Sequence, residues 1–255
     1  MQTLKFSNVV YGVAQLAGLD RDNLPTHFFK QVRDLANPRM ALAWETEYWP
    51  DLLRISELTV TTTDSVSSIA YPTDAGEVLE VYSKNPRKTT LRSGVDFILY
   101  DDGTDSDTNS GKTITVFTTT SPLYVEYRIA RPELSGDAYS ASTVYANDGQ
   151  AYYSTTGHFY TRKNQSGSET GVVPTTTADW DKVLMPKIFE NYLTRGIYAD
   201  YLRANGQSDI AAAEDQNAEG IIPLEEQKAE GLLSLEQDSL HREQGQVRKP
   251  KVSTY

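Results

Sequence analysis

The residues able to do chemistry in this chain are few and scattered. There are three histidines, His27, His158 and His241. None has the HxH or HExxH spacing that would bring two imidazoles onto one metal, and a zinc site needs three or four ligands. Cysteine is absent, which removes disulfides and thiolate metal sites together. Asp105, Asp107 and Asn109 alternate like the opening of a calcium loop. Such a loop needs glycine at its sixth position and a bidentate glutamate at its twelfth. Ser110 and Val116 stand there, so the segment reads as a solvated hairpin turn. Carboxylate pairs such as Asp101-Asp102 fall in turn-like contexts. No glycine-rich phosphate loop, nucleophile elbow or kinase signature is present. Asn164-Gln165-Ser166 fits a glycosylation sequon, which has little weight without a secretion signal. The expectation is a protein without catalytic residues, metal or cofactor.

Composition narrows the function classes further. The 255 residues suffice for one large domain or two to three small ones. With 38% apolar and 23% charged residues, the core is somewhat lean, as in a chain that buries surface against other subunits. The N-terminus has no signal-type apolar run, and no segment approaches the roughly 18 apolar residues of a membrane span. A soluble protein made in a cytoplasm is expected. A formal charge of −11 argues against general nucleic-acid binding, which needs a basic footprint. The C-terminus is the local exception: Arg242, Arg248, Lys249 and Lys251 face only Glu243 from residue 242 to Tyr255.

The elements that must carry these residues change character along the chain. Phe6, Val9, Val10, Val13 and Ala17 recur at helical spacing, and Gly18 can close that helix. Leu24, Phe28, Phe29, Val32, Leu35 and Ala36 predict a second helix, capped by Asp22 or Asn23, with Pro25 in its first turn. Asn37 as N-cap and Pro38 as first residue predict a third, carrying Met40, Trp44 and Tyr48 and ending by Trp49, before Pro50. Trp44 and Trp49 are expected to anchor it against the other helices. From Ile55 to Arg131 the pattern is of short period-two strands, LTVTTT, GEVLEVYS, VDFILYDDG, KTITVFTT and LYVEYRIA. Residues 137–181 are dense in Tyr, Ser, Thr and Gly. They read as a separable small β module built on Tyr145, Tyr152, Tyr153, Phe159, Tyr160 and Trp180. Ile188, Phe189, Tyr192, Leu193, Ile197 and Tyr201 predict a further helix ended by Gly206, followed by an acidic helix from Ser208. Ala218–Glu225 and Ala229–Glu236 form a short repeat at an offset of eleven residues.

The expected fold is α+β. Residues 1–54 and 182–241 supply terminal helices that form one bundle, 55–136 an inserted antiparallel β domain, 137–181 the second small β module, and 242–255 an extended basic tail.

Three ordered segments carry a family likeness. They are Asn37-Pro38-Arg39 with Ala43-Trp44-Glu45 and Tyr48-Trp49-Pro50-Asp51-Leu52; then Val78–Tyr82 and Asn85-Pro86-Arg87 with Tyr124–Arg128; then Tyr192, Tyr198–Arg203, Gly206-Gln207 and Ala211 before a long acidic helix and a basic end. This order resembles the neck or head-completion proteins of tailed bacteriophages, the head-to-tail adaptors. The resemblance implies a homo-oligomeric ring, of twelve subunits, in the virion neck and assembled in the host cytoplasm. Its partners would be the portal protein and the next neck or tail ring, without a membrane. DNA would pass through the lumen without sequence-specific binding, and an acidic wall would not retain its phosphates. It also implies that the tail grips the portal through Arg242, Arg248, Lys249, Lys251 and Tyr255. The module, through Ala138-Tyr139, Val144-Tyr145, Ala151-Tyr152-Tyr153, Phe159-Tyr160, Pro174 and Trp180, resembles small carbohydrate-binding domains of chitinases, although the glycine expected after Tyr139 is not matched. That likeness implies an alternative function, a carbohydrate- or surface-binding tail-associated protein, with Tyr145, Tyr153, Tyr160 and Trp180 as glycan contacts.

Overall fold

The computed structural model describes residues 2–89, 93–101, 112–163 and 170–220. In chain order the elements are α1 Phe6–Leu16, α2 Thr26–Thr46, β1 Leu53–Leu58, β2 Thr61–Thr63, β3 Val66–Ala70, β4 Ala75–Tyr82, β5 Phe97–Asp101, β6 Lys112–Val116 and β7 Leu123–Ile129. There follow β8 Asp137–Ala138, β9 Gln150–Tyr153, β10 His158–Arg162, β11 Trp180–Lys182, α3 Glu190–Ala204 and α4 Ser208–Glu219. The class is α+β, as the sequence predicts. These elements fall into two compact units: one combines the chain up to Glu47 with the chain from Arg131, and the other begins at Tyr48 and ends at Ala130.

In the first unit α3 packs against α1, α2 and α4. The α1–α3 approach is close because Gly12 faces Thr194: a Cβ at residue 12 would lie 2.7 Å from Thr194 Cγ2. Two glycines end helices as expected. Gly18, at φ +69°, donates its N–H to the Gln15 carbonyl while Leu19 donates to Ala14. Gly206, at φ +76°, repeats the arrangement, donating to Arg203 while Gln207 donates to Leu202. Both are Schellman closures, which need a left-handed residue.

Two local expectations for α2 are corrected. The predicted second and third helices are one 21-residue helix with Pro38 inside it. Pro38 deprives the Asp34 carbonyl of its helical donor. The apolar stripe of Phe28, Val32, Ala36, Met40, Ala43 and Trp44 nevertheless runs through residue 38 and is buried on both sides of it, and tertiary packing keeps the helix whole. Asn37 is therefore not a cap. Its side-chain amide donates to the Leu134 carbonyl at 3.0 Å and accepts from the Leu134 N–H at 2.8 Å, pairing the 131–136 segment as a neighbouring strand would. The helix starts at Thr26 with Pro25 before it. The expected caps, Asp22 and Asn23, lie in a separate 3-10 turn whose Asp22 N–H is held by the Asp20 carboxylate.

Residues 137–181 build a sheet of order β11-β10-β9-β8, in which β8 and β9 run parallel. One side holds Tyr160 and Trp180 with Tyr139, Tyr145 and Tyr153. From the other side Tyr152 and Phe159 pack on Phe6 of α1 and Phe29 of α2, at centroid distances of 4.7 to 6.4 Å. The module thus shares a core with α1 and α2.

Among the described residues the second unit has two antiparallel sheets where the sequence predicts one. They have the orders β1-β7-β4 and β2-β3-β6-β5. Strand β3 was not expected. Its apolar positions are interrupted by Ser67 and Ser68, yet it pairs with both β2 and β6. Trp44 is buried beside Phe189, at 6.1 Å, in the first unit. Trp49 is fully buried and belongs to the second unit, which begins at Tyr48.

Candidate structural and interaction sites

The densest polar cluster joins α2, α3 and α4. Arg39, the residue after Pro38, is 9% exposed. It donates from Nε to Asp200 Oδ2 and from Nη2 to Asp200 Oδ1, both at 2.7 Å, and from Nη2 to Asp215 Oδ1 at 2.5 Å. Arg203 closes the ring with donations to Asp200 and Asp215. Gly196 leaves the room: a Cβ there would come within 3.0 Å of Arg39 Cδ. Hydrogen bonding to Asp200 outweighs burial and holds the Arg39 guanidinium charged, well above its ordinary range. Burial alone would raise Asp215, but hydrogen bonds from Arg203 and Arg39 prevail and hold its carboxyl below the usual value. A planar, bidentate donor between two carboxylates fixes three helices. Each carboxylate is occupied, so the arrangement offers no free base.

A second carboxylate pair lies in the second unit. The single Tyr82 hydroxyl lies within hydrogen-bond reach of both Glu80 and Glu126, cross-strand neighbours on β4 and β7, and can donate to one of them at a time. Arg39 thus gathers with Asp200 and Arg203 in the first unit, and Glu80, Tyr82 and Glu126 gather in the second.

The four expected glycan contacts gather around one core. Trp180 and Tyr160 are buried. Trp180 stacks edge-on to Tyr145 at 5.2 Å, lies under Arg162 at 5.5 Å, and donates its indole N–H to the Val172 carbonyl. Tyr139 stacks on Tyr145 at 5.8 Å, and Tyr153 meets Tyr139 edge-on. Tyr160 and Trp180 are thus core residues, with Tyr145 and Tyr153 partly buried against them. The expected portal contacts Arg242, Arg248, Lys249, Lys251 and Tyr255 lie outside the described residues, as do His241, Asp105, Asp107, Asn109, the sequon and the repeat beyond residue 220.

His27 is exposed, and His158 is buried in β10 with its Nδ1 unpartnered. Burial pushes the His158 imidazole below its ordinary value, and Lys182 and Lys5 push the same way. Among the described residues no cluster of three His, Asp or Glu could hold a metal ion, and no helix is long and apolar enough to cross a membrane.

One surface has no counterpart in the sequence reading. On the sheet β2-β3-β6-β5, Val66, Ile98, Tyr100 and Phe117 are all more than half exposed. By register they share one side of the sheet, because their partners alternate with the buried Ser67, Ile69, Ile114 and Val116. The period-two pattern of β5, FILYD, is masked by four consecutive apolar residues, Phe97 to Tyr100. No rule of alternation could tell which of them faces outward.

No family model matches the chain, and no curated protein matches it by sequence.

Proposed function

We propose that this chain is a structural adaptor of a tailed-bacteriophage neck, a homo-oligomeric ring that joins the portal to the tail and lets DNA pass through its lumen. The observation that carries the reading is the ordered set of segments around Asn37–Leu52, Val78–Arg128 and Tyr192–Ala211. Polar residues of these segments are tied to one another, Arg39 to Asp200, and Tyr82 to Glu80 and Glu126. Those residues serve the scaffold, as an assembly protein requires. The net charge of −11 suits a wall that DNA must slide past. Electron microscopy of purified particles tests the reading: a symmetric ring of this chain between portal and tail is the expected image. Particles that carry the chain elsewhere, or complete heads and join tails without it, refute it.

A further inference from the structure

The sheet β2-β3-β6-β5 ends in two edges that no described strand covers. On β5, Leu99 lies in register with Ile114 and, beyond it, Ile69, which are 0% and 2% exposed, yet Leu99 is 49% exposed. Its side of the sheet is the buried one. It stays open because the sheet stops there, and a strand laid along β5 would cover it. Natural proteins protect such an edge with lysine, proline or a bulge. Strand β5, Phe97–Asp101, has none of these among its residues and carries a single charge, Asp101 at its end. The opposite edge, β2, is three exposed threonines, β-branched and uncharged.

We infer that β5 of one copy receives β2 of the next, so that this sheet continues from subunit to subunit. The topology fits. Each of the four strands is antiparallel to its neighbour, so β2 and β5 run in opposite directions. A second copy placed alongside in the same orientation therefore brings its β2 antiparallel to β5, and the alternation goes on unbroken. Such a contact is heterologous: each copy uses one edge and leaves the other open until a ring closes. The electrostatics fit as well. Copies that each carry −11 repel over most of their surface, and these two strands bring only Asp101 into the contact. The inference rests on the ring reading above and names the surface that builds the ring.

The chain has no cysteine, so engineered disulfides report the contact cleanly. Thr61, Thr63, Ile98 and Tyr100 share one side of the sheet. Within one chain β2 and β5 are separated by β3 and β6, three strand spacings or about 14 Å, too far for a disulfide. Full-length protein that combines Thr61→Cys or Thr63→Cys with Ile98→Cys or Tyr100→Cys is oxidised and run without reductant. The expected result is a ladder of trimers and larger species from at least one combination, with none from the single-cysteine variants. Absence of a ladder from every combination overturns the contact, as does wild type that sediments as a monomer at all concentrations. Dimers from Ile98→Cys or Tyr100→Cys alone also overturn it, since they mean that β5 pairs with β5 about a two-fold axis. Ile98→Lys with Tyr100→Lys changes exposed side chains, and should keep the far-ultraviolet circular dichroism of wild type while shifting the oligomer to monomer; undiminished assembly overturns the contact. A neck ring seen on particles without a ladder refutes this surface and spares the adaptor reading. A ladder that grows into open filaments supports the surface and refutes the closed ring.

Discussion

Arg39 shows how a single side chain can fix three helices. Removing it strands Asp200 and Asp215, each about a fifth exposed, with only the outer Arg203 to face them. Breaking a buried pair from one side costs about 3–5 kcal/mol. Because Arg203 remains, Arg39→Ala should cost about 3 kcal/mol in urea unfolding. Arg39→Lys should recover little of it, because an ammonium cannot make the two parallel bonds to Asp200. A stability equal to wild type would show that the cluster is a surface feature. His158 makes the opposite kind of statement. Its folded value is depressed below the ordinary 6.5, by burial first and then by Lys182 and Lys5. Above the ordinary value both states are neutral there and nothing is lost. As pH falls below about 6.5 the unfolded chain takes up a proton that the folded one refuses, so stability declines until the folded value is reached. Melting temperatures measured from pH 7.5 to 5 should therefore fall in the lower half of that window, and His158→Gln should flatten the profile. Equal slopes for variant and wild type would place the proton uptake elsewhere.

At the scale of elements, the α1–α3 crossing is set by Gly12. Alanine is the better helix former by about 1 kcal/mol, yet its Cβ would sit 2.7 Å from Thr194 Cγ2, and overpacking of this kind costs about 1–3 kcal/mol. Gly12→Ala should lower the melting temperature, and adding Thr194→Ser, which removes that methyl, should restore it. A double variant no better than Gly12→Ala would mean that the helix backbones, and not this methyl, set the spacing. The legible elements were those whose signal is local. Gly18 and Gly206 mark helix ends because a left-handed residue is needed there whatever lies around it. The five-residue apolar stripe of α1 needed only its own periodicity. Pro38 misled because the Asn-Pro signal is local as well, while the force that overrides it comes from Met40, Ala43 and Trp44 packing in register with Val32 and Ala36. Strand β3 was invisible for a related reason: the serines in VSSIA carry no β signal, and its strand state comes from pairing with β2 and β6. The Arg39 cluster had no sequence signature at all, since Arg39 stands more than 160 residues from Asp200 and Asp215 in the chain.

At the scale of the whole chain, the aromatic-rich segment 137–181 is the strongest test of what packing adds to composition. Its density of Tyr, Ser, Thr and Gly and its turn-like borders suggest a module that could be lifted out. The rings tell otherwise. Tyr145, Tyr153, Tyr160 and Trp180 make a core on one side of the sheet, but Phe159, fully buried, and Tyr152 face Phe6 and Phe29 on the other. Backbone bonds reinforce the junction: Ser7 donates to the Gly157 carbonyl, and Leu4 to Met185 just past the module. Replacing 138–181 with a short Gly/Ser linker would uncover Phe6 and Phe29 and delete their two partners. Each large apolar side chain buried contributes about 1.5–3 kcal/mol, so the loss of several reaches the 5–15 kcal/mol that holds a typical domain together. The deletion should therefore abolish the cooperative unfolding of the first unit and leave α1 and α2 open to protease. Tyr145→Ala, which touches only the module's outer core, should lower the melting temperature while the helices stay protected. A soluble deletion protein with a sharp melt and protected helices would return the segment to the status of an independent module, because Phe6 and Phe29 would then have found another cover.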